Sequence, residues 1–307
     1  MEHRILIVGD VMLDHYIIGD CHRISPEAPV PVVSIKNERY SAGGAANLAL
    51  NLSHMGSSVD LFGVVGHDKE GQILHELLLP SGITNYCFQS GIATTEKTRI
   101  MAANQQMIRL DREDEFSDSV ASCNQLRSLL EKNSYAGIIV SDYAKGLCSV
   151  EVIKLIQQYC KEKSCRLFVD PKGNDWTKYS GAYLIKPNLS ELETIAHRKL
   201  NSEDDIKSTG NEFRKKLSIE HMIITQGRRG MIYLSDNVFE TYPVEQVEIY
   251  DVSGAGDTAM AALCHMLSTG HEMAASIIKA NKAAAYSVSK LYTHALSVEE
   301  ARAIFSS

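Results

Sequence analysis

Short, nearly continuous aliphatic runs alternate with longer helical stretches, and no other feature restricts the fold of this 307-residue chain as strongly. The runs at 5–8, 59–65, 137–141, 166–170, 183–186 and 221–225 are four to eight residues long and bounded by Gly, Asp or Pro. Runs of that length and composition predict strands buried on both faces. Between them, 47–55, 71–79, 150–161 and 204–217 carry helical patterning, and 257–267 and 273–288 form an Ala-rich pair of buried helices. The alternation predicts an α/β fold: βαβ units and a parallel-rich central sheet flanked by helices.

Two stretches break this rhythm. Residues 16–40 contain Pro26, Pro29 and Pro31, which forbid a helix, and their apolar residues alternate as in edge strands. Residues 94–112 alternate more weakly. Pairing of the two predicts a small β-sheet lid over the carboxyl edge of the main sheet. The length alone would suit two domains. With no repeat, low-complexity tract or linker, residues 1–307 read instead as one domain with the lid inserted.

Charge and cysteine usage narrow the function classes. Lys and Arg total 31 against 38 Asp and Glu, a net charge of −7. An acidic chain is a poor partner for a phosphate backbone, so no nucleic acid is expected, whereas a small anion needs only a few placed cations. The seven cysteines are scattered without a CxxC pair, so a zinc ribbon or redox motif is not indicated and a reduced, cytoplasmic protein is expected. No 18 apolar residues run together, so no membrane association is expected.

The sharpest motif is "DVSGAGDT" at 251–258, ahead of an Ala-rich helix. Gly254, Ala255 and Gly256 are small enough to bring backbone N–H groups close to a phosphate, and the helix adds its positive end. Asp257 at that helix start can take a proton from an attacking hydroxyl. From this octapeptide alone, a Gly-rich turn with Asp257 as a cap is equally open. "GGAAN" places Gly43, Gly44 and Asn47 at another helix start, suited to sugar hydroxyls or to plain capping. "GDVMLD" puts Asp10 and Asp14 past the first strand, at the edge where open α/β sheets bind ligands. "KPNLSE" supplies Asn188 and Glu191 three residues apart, as a hydrated Mg²⁺ site or as a capping box. There is no GxGxxG after the first strand and no GxxxxGK[ST], which argues against a dinucleotide site and a P-loop.

In that order these motifs resemble the ribokinase (PfkB) family of sugar kinases over essentially the whole chain. The segments "RISPEAPVPVV", "QQMIRLD", "SDYAKG" and "VDPKG" are further similar to the bacterial D-glycero-β-D-manno-heptose 7-phosphate kinases. The resemblance implies a ribokinase-like fold and ATP-dependent phosphorylation of the anomeric hydroxyl, giving the 1,7-bisphosphate on the way to ADP-heptose and the lipopolysaccharide inner core. It makes Asp257 the catalytic base and Gly254, Ala255 and Gly256 the anion hole. Asp14, Gly43, Gly44 and Asn47 become sugar ligands, with Asp10 an addition. Asn188 and Glu191 serve Mg²⁺ through water, Thr225 and Gly227 line the nucleotide, Asn281 lies on the adenine side, and Asp251 opens a monovalent-cation site. Many such relatives carry a second, nucleotidyltransferase domain with an HxGH signature. That signature is absent here, so a stand-alone kinase is expected.

A second phosphate on the substrate calls for cations near the lid. Arg99 and Arg109 stand in the second lid segment and Arg23 in the first, with Arg109 the leading candidate. Lys145, Lys172 and Lys186 follow strands at the same edge and can face the nucleotide or the transferring phosphate. Apolar lid strands suggest a homodimer. Two segments depart from the heptose-kinase pattern: Tyr292 stands in "KLYT" where a glycine is usual, which is expected to reshape the adenine pocket, and Arg228 and Arg229 make the "TQGRRG" loop more basic. The rival readings are a kinase for another sugar or sugar phosphate, such as fructose 6-phosphate, and a catalytically silent sugar-phosphate sensor.

Overall fold

Ile5, Leu6, Ile7 and Val8 are all fully buried because the first strand lies mid-sheet with helices on both sides. Alternation along the strand divides them: Leu6 and Val8 join one core layer, Ile5 and Ile7 the other. The computed structural model describes residues 4–103 and 105–305. Its elements begin with β1 (Arg4–Gly9), β2 (Val11–Ile24), β3 (Pro31–Gly44), α1 (Ala45–His54), β4 (Ser58–Phe62), β5 (Val64–Gly66) and α2 (Lys69–Leu78). There follow β6 (Thr84–Asn85), β7 (Phe88–Ser90), β8 (Glu96–Ala102), β9 (Gln105–Arg112), α3 (Ser119–Lys132), β10 (Gly137–Ser141) and α4 (Val150–Lys163). Next are β11 (Arg166–Asp170), β12 (Leu184–Ile185), α5 (Leu189–Ala196), α6 (Glu203–Lys216), β13 (His221–Thr225), β14 (Met231–Leu234) and β15 (Phe239–Tyr242). The last three are α7 (Ala255–Ser268), α8 (Met273–Val288) and α9 (Val298–Phe305).

Among the described residues the main sheet has nine strands in the order β15-β14-β13-β12-β11-β10-β1-β4-β6. It is parallel from β6 to β13, and the last two pairings, β13–β14 and β14–β15, are antiparallel. Helices α3, α4, α5 and α6 pack on one face. Helices α1, α2, α7, α8 and α9 pack on the other. This is the parallel-rich, two-faced architecture expected from the alternation.

The second sheet, β3-β2-β8-β9, is the expected pairing of the two irregular segments. It reaches further than 16–40, because β2 starts at Val11 with only Asp10 separating it from β1. The lid is therefore rooted at the carboxyl edge of the main sheet. One expected strand is broken: 59–65 divides at Gly63 into β4, in the main sheet, and β5, which pairs with β7. A Cβ at Gly63 would stand 2.8 Å from Val11 Cγ1 and 3.0 Å from Cys87 Sγ, so the chain bends where side chains from two other segments crowd it. Helix α3 was not expected; its polar sequence is started by Asp118, whose side chain accepts from the Ala121 N–H.

Candidate active site

Helices α1 and α7 begin next to each other. Gly44 caps α1 at φ +55° and Gly254 caps α7 at φ +80°, backbone angles that L side chains rarely adopt. Close approach adds a second restriction, since a Cβ on Gly254 would sit 2.5 Å from Asn47 Nδ2. In each helix the third residue is polar and points inward: Asn47 in α1 and Asp257 in α7. Asn47 Nδ2 donates to Asp257 Oδ2 at 2.9 Å, and the Tyr143 hydroxyl donates to Oδ1 at 2.6 Å.

Asp257 is 2% exposed. Burial lifts its carboxyl from 3.8 to about 7, with the Asn47 and Tyr143 hydrogen bonds and Lys186 pulling down and Asp170 pushing up. A carboxylate poised near neutrality is suited to general-base work. Next to it, buried Lys186 Nζ pairs with Asp170 at 3.0 Å. A Cβ built on Gly256 would lie 3.5 Å from that ammonium, so the amide end of α7 and Lys186 face the same space. An amide end and an ammonium facing one space are groups that can hold an anion.

From there a cavity of about 290 Å³ opens between the β13–β14 turn and α8, lined by Thr225, Gly227, Ala255, Gly256, Asn281 and Val288 among others. On the other side of Asp257 stands the lid. Asp14 Oδ1 accepts from Arg99 at 2.5 Å, and Oδ2 accepts from Thr293 Oγ1 at 2.7 Å. The Tyr16 hydroxyl accepts from the Thr293 N–H at 2.8 Å and lies 3.4 Å from Asp251 Oδ2. Asp251 Oδ1 in turn accepts from the Ser253 N–H.

Strand register adds what spacing did not reveal. Arg39, Tyr16, Arg99 and Arg109 are opposite one another across β3, β2, β8 and β9, forming one row on the face that carries Asp14. Arg39 was missed because its strand is polar and exposed, and only cross-strand pairing aligns it with Arg99. Arg109 is half-exposed and holds Asp111 at 2.8 Å.

The remaining expected residues fall in three places. Asn188 and Glu191 form a complete capping box on α5, and Glu191 Oε1 also accepts from Lys172 at 3.0 Å. Carboxylates Asp170 and Glu191, with Lys172 and Lys186 beside them, make an all-oxygen donor set flanked by ammonium groups. That set fits a hydrated Mg²⁺ held largely through water. Asp10 is buried behind the cleft, where Oδ2 accepts from the Tyr143 and Lys145 N–H groups at 2.7 and 3.1 Å. Lys145 pairs with Glu113, and Arg23 is exposed near the end of β2.

Tyr292 corrects an expectation. It does not line the cavity but packs edge-on against Tyr16, with ring centroids 4.7 Å apart, and beneath the Arg39 guanidinium. Its backbone is left-handed at φ +68°, a conformation ordinarily left to glycine.

Comparison with known proteins bears on the family and the fold. A family described as "pfkB family carbohydrate kinase" matches residues 2–301. The chain is 37% identical over 302 residues to the "Bifunctional protein HldE" of a Nitratiruptor species, covering 98% of this chain and 64% of that protein. It is 39% identical over 309 residues to the protein of the same name from Aliivibrio fischeri, covering 100% and 64%. The chain thus spans less than two thirds of the length of these relatives. Among solved structures, phosphofructokinase-2 from Escherichia coli in complex with potassium superposes with a TM-score of 0.84 at 18% identity, covering 100% of this chain and 99% of that one. Ribokinase from Thermotoga maritima gives 0.76 at 19%, covering 99% of each.

Proposed function

The chain belongs to the pfkB family of carbohydrate kinases, and from that premise we propose that it transfers the γ-phosphoryl group of ATP to the anomeric hydroxyl of D-glycero-β-D-manno-heptose 7-phosphate. The observation that carries the reading is Asp257, buried between Asn47 and Tyr143 at the amide end of α7 beside the Lys186–Asp170 pair. In this reading the sugar lies between Asp14 on the lid and Asp257, and the nucleotide occupies the cavity past Gly256.

Asp257 accepts the proton of the sugar hydroxyl as that oxygen approaches the γ-phosphorus in line. The amides opening α7 and the Lys186 ammonium hold negative charge on the transferring group. Arg99 on the lid and Thr293 from the segment between α8 and α9 keep the Asp14 carboxylate turned toward the sugar. A divalent ion would be held by Glu191 and Asp170, largely through water, and supplies charge neutralisation for the nucleotide phosphates when bound. Asp251 is the residue we assign to a monovalent cation.

The arginine row on the lid supports a phosphorylated sugar over a free one, since a second phosphate needs cations away from the reacting end. The 37–39% identity to the two HldE proteins supports heptose among the phosphorylated sugars. We place the enzyme in the cytoplasm, where ATP is supplied; no helix among the described residues is long and apolar enough to cross a membrane. Half-exposed or more exposed Ile24, Ile35, Ile108 and Leu110 on the lid strands support a homodimer through the lid. A monomer mass by light scattering would contradict that.

The test is ADP release with heptose 7-phosphate, fructose 6-phosphate and ribose in parallel, for wild type and Asp257→Asn. Preference for the heptose phosphate and loss of turnover in the variant are expected. Faster turnover of fructose 6-phosphate would move the assignment to that sugar, and near-wild-type turnover by the variant would sink the role of Asp257.

A further inference from the structure

Both oxygens of the Asp257 carboxylate are engaged, one by Asn47 and the other by Tyr143. Tyr143 belongs to the "SDYAKG" loop following β10, a segment with no role in the reaction as described above. Its hydroxyl lies 2.6 Å from Asp257 Oδ1, and its ring edge comes within 3.4 Å of where a Gly44 Cβ would be. Burial, with Asp257, Asp170 and Asp14 adding to it, pushes the phenol well above its ordinary value. It therefore stays protonated and serves as a donor.

The loop bearing Tyr143 is itself held. Asp10 Oδ2 accepts from the N–H groups of Tyr143 and Lys145, and Ala144 between them is left-handed at φ +58° with its own N–H on Asp142 Oδ1. A left-handed alanine persists only where the surroundings over-determine it. Two carboxylates thus clamp three consecutive residues.

We propose that Tyr143 is a positioning residue for the base, with Asp10 holding its loop, so that a chain Asp10–Tyr143–Asp257 fixes the plane of the carboxylate. The inference rests on Asp257 being the base in the function proposed above. With Asn47 on one oxygen and Tyr143 on the other, rotation of the carboxylate about its Cβ–Cγ bond is stopped. Each oxygen keeps a lone pair for the incoming hydroxyl. The other charged groups facing Asp257 are Asp170 from the end of β11 and Lys186 just past β12; α1 contributes only neutral Asn47, and the lid contributes the Asp14–Arg99 pair, whose carboxylate also acts on the Tyr143 phenol.

A donor to the ionised carboxylate favours that form, so losing it raises the protonation midpoint of Asp257. The test is a pH titration of ¹³C-carboxyl-labelled aspartate by NMR on the ligand-free protein, with Asp257 identified by its disappearance in Asp257→Asn. Tyr143→Phe is expected to raise the Asp257 midpoint by about half to one pH unit. Asp10→Asn should move it in the same direction by less, and it keeps the question open should the Phe variant not fold. An unmoved midpoint in both variants overturns the proposal. This readout needs no substrate, so it stands or falls separately from the choice of sugar.

Kinetics supply the second arm, using whichever sugar in the panel the wild type phosphorylates. In Tyr143→Phe, kcat should fall about two- to fivefold near pH 7 with KM for ATP unchanged, and should recover as the pH is raised. An equal loss at every pH would mean a merely structural role. A gain in kcat/KM would mean that the phenol blocks the acceptor's place, and either result overturns the proposal.

Discussion

Replacing Asp257 by Asn is expected to stop the reaction and stabilise the fold at once. The group is 2% exposed, and burial lifts it from 3.8 to about 7. A rise of about three pH units, at roughly 1.4 kcal/mol each, puts the cost of keeping this carboxylate ionised in the folded protein near 4 kcal/mol. The direction follows from proton binding: the folded protein holds this proton more tightly than the unfolded chain, so the proton stabilises the fold in acid. That stabilisation is fully present below about pH 4, is lost as the pH rises to 7, and leaves the whole penalty in place above 7. Asparagine carries no charge and fits the same partners, its Oδ1 accepting from Asn47 and its Nδ2 donating to the Tyr143 oxygen. The variant should therefore gain about 4 kcal/mol at pH 8 and less than about 2 kcal/mol at pH 5. At roughly 2 °C per kcal/mol for a chain of this size, Tm should rise by about 8 °C at pH 8 and by less than about 4 °C at pH 5. Parallel calorimetric melts at the two pH values, beside the ADP-release assay, make the measurement. Asp10, lifted to about 6 by burial and by Asp142, is common to both proteins and cancels. A variant less stable than wild type at pH 8, or equally stabilised at both pH values, would refute the reasoning.

Three further outcomes are expected. Arg109→Ala should raise KM for a phosphorylated sugar about tenfold or more while altering turnover of ribose little; equal effects on both sugars would exclude a role in binding the second phosphate. Gly254→Ala places a side chain at φ +80° and 2.5 Å from Asn47 Nδ2. It should lower kcat about a hundredfold by moving Asn47 off Asp257, and a wild-type rate would mean that the approach is not tight. Tyr292→Gly relieves roughly 1 kcal/mol of left-handed strain while losing ring contacts of similar worth. Tm should stay within about 2 °C, and KM for ATP should hold because Tyr292 lies on the lid side; a large change in ATP affinity would return Tyr292 to the nucleotide pocket.

Much of the fold was legible because it rests on local signals. Buried strands such as 137–141 and 166–170 read as continuous apolar runs, and glycines 43, 44 and 254 stand where left-handed caps or close approach require them. The bend at Gly63 and helix α3 were not legible, since one depends on Val11 and Cys87 arriving from elsewhere and the other has too polar a sequence to stand out.

By itself, the sequence determined the α/β class, the lid segments and the two Gly-rich helix starts, because backbone geometry and hydrophobic periodicity are properties of neighbouring residues. Only the tertiary structure decided how those parts work on each other. It put Asn47 and Tyr143 on opposite oxygens of Asp257 from 210 and 114 residues away, and a buried carboxyl takes its proton affinity from whatever groups surround it. It aligned Arg39 with Arg99 through strand register, and it turned Asp10 onto the loop that carries Tyr143. It also moved Tyr292 from the nucleotide side to the lid. Residue type and spacing announce which chemistry a chain can perform; the distances and desolvation that tune it arise when remote segments close on one another.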